Sequence, residues 1–400
     1  MRRLALGALL VSGTLLGASL LDAQAPEPSG FQLTGALGQS GDVPATSALA
    51  GAIAVPALSA DHEEEKSGRP SFIAVPLPNS NPTLGTGLGA AGILFFRASK
   101  TDTVSPSSTV GVGGMYFDTK SWAAAGGVRL NLRQDRWRVT TAVAAADLRY
   151  DLYGPGAETS PSPGVGVRQK TVGGLLQAQV RVFDRVYAGL RYVLAQVKTD
   201  LENVQTRLPS GVGEDQTNLR VAALGPVVSY DSRDNQFFPL RGWAADLRWD
   251  FYGRDLGSEY GFEKYEVNVR GFFPVREKDA LAAQLYACGI GGRAPFFLQC
   301  LYGSAGVLRG YPVGKYYDET MFGVQVEYRW HVFPRWVAAG FAGVGGVAPA
   351  FGAYASEDLL PAAGVGVRWI AEPKEKATLR FDYAWGKDRG TFYLGIGEAF

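Results

Sequence analysis

From about Ser71 to Phe400 the chain alternates apolar and polar residues with a period of two, and that pattern commits it to strands. Trp122, Ala124, Gly126, Val128 and Leu130 alternate with Arg129, Asn131 and Arg133. Trp243, Ala245, Leu247, Trp249 and Phe251 alternate with Asp246, Arg248 and Asp250, and Val324, Val326, Tyr328 and Trp330 with Gln325, Glu327 and Arg329. Successive strand side chains point to opposite faces, so each segment carries one apolar and one polar face. Composition agrees. Glycine fills 52 of 400 positions, and each one inside a helix would cost about 1 kcal/mol. An apolar content of 46% excludes a disordered chain, and a net charge of +1 gives no global field to recruit nucleic acid.

Alternation alone leaves open which face points inward; a soluble sandwich would share it. Connection lengths decide. Short polar turns at 133–136, 183–185, 276–279, 333–335 and 372–376 alternate with longer loops near 151–168, 200–216, 252–260, 292–318 and 349–358. Transmembrane β-barrels have short periplasmic turns and longer outer loops, and they alternate lipid-facing with lumen-facing residues. Residues 71–400 allow about 21 residues per strand and connection, enough for spanning strands of ~9–11 residues. The expectation is an all-β, transmembrane antiparallel β-barrel of about sixteen strands over 71–400. Its mean hydropathy near zero averages a lipid-facing half with a water-facing half.

Met1-Arg2-Arg3, the apolar Leu4–Leu21 run and Ala23-Gln24-Ala25 read as a signal peptide over 1–25, cut at Ala23 or Ala25. Residues 26–70, rich in Ala, Gly, Pro and Ser, read as a flexible periplasmic tail; a short helix docking on the barrel is the sharper alternative. The carboxy end places Phe392, Leu394, Ile396, Glu398 and Phe400 on one outward face, a terminal-aromatic strand like the recognition signal of bacterial outer-membrane barrels. Glu398 departs from that signal and is expected near the membrane interface.

Three stretches resemble the bacterial surface-antigen family of outer-membrane assembly factors, the BamA/TamA-like barrels. Leu308-Arg309-Gly310-Tyr311 matches the family's Arg-Gly-aromatic tip on the long sixth outer loop, after the eleventh strand. Tyr230-Asp231-Ser232-Arg233-Asp234, followed by Pro239 and Gly242, matches an acidic turn between the eighth and ninth strands. Gly364-Val365-Gly366-Val367-Arg368-Trp369 with Arg380-Phe381-Asp382-Tyr383-Ala384 resembles the last family motif. The resemblance implies that the sixth loop folds into the lumen. Only about 45 residues separate the leader from the barrel, too few for one compact polypeptide-binding domain, so the chain reads as a barrel-only member.

Parity puts Asp382, Arg380, Glu327 and Arg368 on the lumen side. An arginine fork suits carboxylate partners, so Arg309 is expected to pair with Asp382 or Glu327 and hold the loop inside; a solvated lumen charge is the alternative. Asp231, Arg233 and Asp234 are expected to hydrogen-bond a periplasmic turn, helped by Pro239 and Gly242. Cys288 and Cys300, the only cysteines, allow either a disulfide stapling the loop to the wall or two buried thiols.

No nucleophile–base pair, metal cluster or phosphate loop stands out, so no enzyme activity, cofactor or metal is expected. The family resemblance implies insertion, assembly or translocation of proteins or lipids at the bacterial outer membrane. The partners would be outer-membrane lipid and unfolded outer-membrane or secreted polypeptides. A passive pore or structural barrel is the competing reading, with Arg129, Arg133, Arg181, Arg191, Asp246, Arg248, Asp250, Glu266 and Arg270 lining the lumen.

Overall fold

The computed structural model describes residues 31–32, 70–81, 83–156, 165–201, 217–235, 238–303, 307–312, 314–372, 377–387, 390–396 and 398–400. The expected leader over 1–25 and nearly all of the expected 26–70 tail lie outside these.

Sixteen strands of seven or more residues are present among the described residues. They are β1 (Ser71–Asn81), β2 (Gly85–Phe96), β3 (Ser108–Phe117), β4 (Trp122–Leu132), β5 (Trp137–Leu152), β6 (Val165–Phe183), β7 (Val186–Leu201) and β8 (Asn218–Asp231). Then come β9 (Gly242–Tyr252), β10 (Phe262–Pro274), β11 (Ala280–Gly292), β12 (Thr320–Phe333), β13 (Trp336–Ala348), β14 (Leu360–Glu372), β15 (Ala377–Trp385) and β16 (Gly390–Ile396). Each pairs antiparallel with its chain neighbour from β1 to β16.

Burial settles which face points inward. On β12 the charged residues Glu327 and Arg329 are each 0% exposed, while Val324, Val326 and Trp330 are 42 to 49% exposed. Leu190, Leu247, Trp249, Leu285, Val365 and Phe381 extend this exposed apolar face over the other strands. A polar inside and an apolar outside invert a soluble sandwich and describe a transmembrane barrel.

The first and last strands lie side by side. β1 pairs all eleven residues with β2, although Pro76 and Pro78 give it no N–H at two positions. β1 and β16 share no paired register among the described residues. Instead Phe31–Gln32 runs parallel to Phe392–Tyr393 of β16.

Two expectations need correction. The last strand ends at Ile396, not Phe400. Beyond it Glu398 and Phe400 are buried, at 3% and 8% exposure, so the chain end turns inward and Glu398 is not a lipid-facing charge. The lumen is also less polar than period-two reasoning implies. Toward the outer loops, inward positions such as Leu148, Tyr150, Val197, Tyr252 and Ile290 join one apolar cluster with the β11–β12 loop. A loop packed inside supplies the apolar surface that water would otherwise face, so apolar inward residues are favoured there.

The connections 97–107, 118–121 and 232–241 depart from the short–long rhythm. The first is tied to the β4–β5 turn. Asp102 accepts hydrogen bonds from the Ser105 hydroxyl at 2.6 Å and the Gln134 backbone N–H at 2.8 Å.

Candidate functional site

Residues 293–319, between β11 and β12, hold the Leu308-Arg309-Gly310-Tyr311 motif. A single 3-10 turn (Phe296–Leu298) leads into Cys300–Leu301, which pairs antiparallel with Tyr317–Asp318. Cys300 is disulfide-bonded to Cys288 on β11, which ties the first limb of the loop to the wall. Three tyrosines fix the rest. Tyr302 and Tyr311 donate hydroxyl bonds to the carbonyls of Leu360 and Pro361, both at 2.5 Å. Tyr317 donates to the Tyr153 carbonyl at 2.7 Å.

The motif has a distinct backbone. Leu308 is left-handed at φ 56°, and Gly310 has φ 115°. A Cβ at Gly310 would also lie 2.9 Å from the Gly386 nitrogen, so glycine is required on both counts. Leu308 packs over the glycine backbone of β12 and β13 at Gly323, Gly343 and Gly345. Strain in a non-glycine residue persists only where its surroundings over-determine it, and that packing does so. The Gly310 N–H donates to the Tyr393 hydroxyl of β16 at 2.6 Å.

Arg309 is 3% exposed. Its guanidinium forks between Glu327 on β12, at 2.6 Å, and Asp382 on β15, and lies 3.5 Å over the Phe341 ring of β13. Burial works against its charge; Asp382 and Glu327 more than offset this and hold its pKa above the ordinary arginine value. Arg368 on β14 bonds Asp382, and also Glu327 and Glu398, each at 3.0 Å. Arg329 on β12 reaches Glu327 at 2.8 Å and Glu398 at 3.3 Å. Arg380 lies 3.5 Å from Asp382. Four guanidinium groups thus surround three carboxylates in a buried network spanning β12, β14, β15, the loop tip and the chain end. Gly366 explains one feature of the Gly-Val-Gly motif: a Cβ there would run into the Asp382 carboxylate and the Arg368 guanidinium.

The structure therefore brings Arg309, Glu327, Asp382, Arg368 and Arg380 together, and Arg309 takes both of the carboxylates offered as alternatives. Glu398, Arg329 and Tyr393 belong to the same group and were not expected there. The acidic turn stands apart from it. Asp231 pairs with Arg233 at 2.7 Å, and Asp234 accepts from the Leu240 and Arg241 N–H groups at 3.0 and 3.2 Å. Pro239 is buried and Gly242 opens β9. Of the terminal set, Phe392 faces out; the Leu394 and Ile396 side chains lie outside the described residues; Phe400 packs inside with Phe272 and Ala282. Arg133 and Arg181 sit exposed at turn ends instead of lining the lumen, whereas Arg191–Asp250, Arg248–Glu266 and Arg270–Asp246 pair along the wall of β7 to β10.

The Omp85 superfamily domain matches residues 119–400, which include the Arg309 network (the lock), the acidic turn and the last motif. The chain belongs to the Omp85 superfamily. Solved structures share this Omp85 barrel fold. BamA from Haemophilus ducreyi lacking POTRA domains 1–3 aligns at TM-score 0.54 and 16% identity, covering 81% of this chain and 68% of that one. CdiB from Escherichia coli aligns at 0.53 and 14%, covering 81% and 61%, and CdiB from Acinetobacter baumannii at 0.50 and 12%, covering 79% and 56%. The chain thus spans about three fifths of either CdiB. No curated protein sequence matches it.

Proposed function

We propose that this Omp85 barrel sits in the bacterial outer membrane and inserts, assembles or translocates polypeptide or lipid there through the seam between β1 and β16. Residues 1–25 would direct export, and 26–70 would face the periplasm. One observation carries the seam reading: β16 makes a parallel pairing with Phe31–Gln32, a segment outside the barrel wall. Its edge therefore accepts main-chain bonds from a strand other than β1, which is the chemistry of β-augmentation. At seven residues β16 is also the shortest wall strand among the described residues, and it shares no paired register with β1 there. An unfolded outer-membrane or secreted polypeptide would add to this edge, with surrounding lipid as the second partner.

The interior supports the same reading over a passive pore, because the lock and the apolar cluster fill space that a pore needs for water. Depletion followed by outer-membrane proteomics tests the assembly role. Loss of other barrels is expected, and an unchanged proteome rejects it. An engineered disulfide across β1 and β16 separates the mechanism from the role: it should abolish activity, and full activity in the locked protein would refute the seam.

A further inference from the structure

Phe238 lies in the connection between β8 and β9, yet it is only 1% exposed. Connections ordinarily run over the surface. Its packing partners are Val337 on β13 and Ile370 on β14, inward positions well around the wall from β8 and β9. The connection must therefore reach across the barrel mouth at that end. It is built to hold its shape while doing so. The Phe238 N–H donates to the Asn235 side chain at 2.7 Å, and Asp234 takes the next two free N–H groups. The chain end arrives at the same place from the other side. Phe400 packs on Phe272 of β10, and its main-chain oxygen accepts from Arg329 at 3.2 Å. The Arg329 guanidinium is ringed by Phe238, Phe272 and Phe400 at 5.7, 5.7 and 5.9 Å.

We propose that the β8–β9 connection and the chain end form a second plug, an aromatic floor that closes the periplasmic mouth beneath the lock. Arg329 joins the two plugs, since it touches the floor rings and also bonds Glu327 and Glu398 of the lock network. The lumen is then closed twice in series, and opening the loop lock alone leaves it sealed. This holds whether or not the barrel assembles clients.

The test is the conductance of the full chain in planar bilayers, for wild type, Arg309→Ala, Phe238→Ala and the double variant. Each single variant is expected within about threefold of wild type, and the double at least tenfold above either single. The proposal is overturned if either single variant conducts as well as the double, or if the double stays as quiet as the singles. Heat-modified gel mobility confirms that each variant has folded. A second measurement does not depend on truncating the ring. Phe238→Cys with Val337→Cys should cross-link with dibromobimane in the folded protein, and no cross-link in folded protein overturns the floor.

Discussion

Arg309→Ala should release the tip of the β11–β12 loop, and the network sets the size of the effect. The substitution removes two carboxylate bonds and the stacking on Phe341. It strands neither acid. Glu327 keeps Arg329 and Arg368, and Asp382 keeps Arg368 and Arg380. Breaking a buried pair costs ~3–5 kcal/mol when a charge is left uncompensated, so the lower end, about 3 kcal/mol, applies here. At 1.4 kcal/mol per decade this is a rise of about 100-fold in the open population of the tip. Proteolysis follows that population when closing outpaces cleavage. Chymotrypsin, which cuts after Tyr316 and Tyr317 and ignores the substituted arginine, should cleave the loop roughly 100-fold faster. Arg309→Lys keeps the charge but loses the fork and should fall between. A cleavage rate for Arg309→Ala within about threefold of wild type would refute the lock, because a solvated charge contributes almost nothing.

Asp382→Ala should cost more than Arg309→Ala, toward ~5 kcal/mol, since it takes a carboxylate from three arginines at once; thermal unfolding of the two variants side by side checks the order. Gly366→Ala should mimic that damage by forcing Arg368 and Asp382 apart, and would be read by the same loop-cleavage assay. Non-reducing mass spectrometry should find no free thiol, and Cys300→Ser should lower stability by up to ~3 kcal/mol for the closed ring. Burial raises the Asp102 pKa, but four hydrogen bonds to its carboxylate reverse this and bring it to about 2. Its stabilisation is therefore complete above the unfolded value of ~3.9 and is lost as pH falls through about 2. The exchange protection factor of the Gln134 amide should fall over that window in wild type and stay flat in Asp102→Asn.

The pairing of Arg309 with Glu327 and Asp382 was legible because parity inside a strand is rigid. Once Leu379, Phe381 and Tyr383 are placed outward, Arg380 and Asp382 must face in, and a loop arginine has few other places to find a carboxylate. Glu398 and Phe400 were not legible for the converse reason. The strand ends at Ile396, parity ends with it, and a period-two count carried onward sends both residues to the wrong side. One signal was available: a carboxylate on the lipid face is costly, whereas four inward arginines call for more acid than Glu327 and Asp382 provide. Phe238 gave no sign of its place, since an aromatic in a ten-residue connection reads as ordinary turn sequence. The apolar inward stretch at the outer end was visible as Leu148, Tyr150 and Leu152. Reading it required an inner loop to pack against, and polar-inside reasoning assumes water instead.

The two routes through this barrel differ in what must be broken. A path along the lumen has to displace Arg309 from two buried carboxylates, at about 3 kcal/mol. It must also expose the apolar faces of Tyr302, Leu308 and Tyr311, each large buried side chain adding roughly 1.5–3 kcal/mol. The disulfide keeps the first limb of the loop attached throughout. A path through the proposed seam breaks only the main-chain pairing of Phe31–Gln32 with β16 among the described residues, at a net ~0.5–1.5 kcal/mol per hydrogen bond. An incoming strand would replace those bonds as they are lost and bring their net cost toward zero, whereas nothing in a passing solute replaces the lock. The filled interior and the short last strand therefore both favour the proposed seam route, in which the lumen would stay shut while the wall opens.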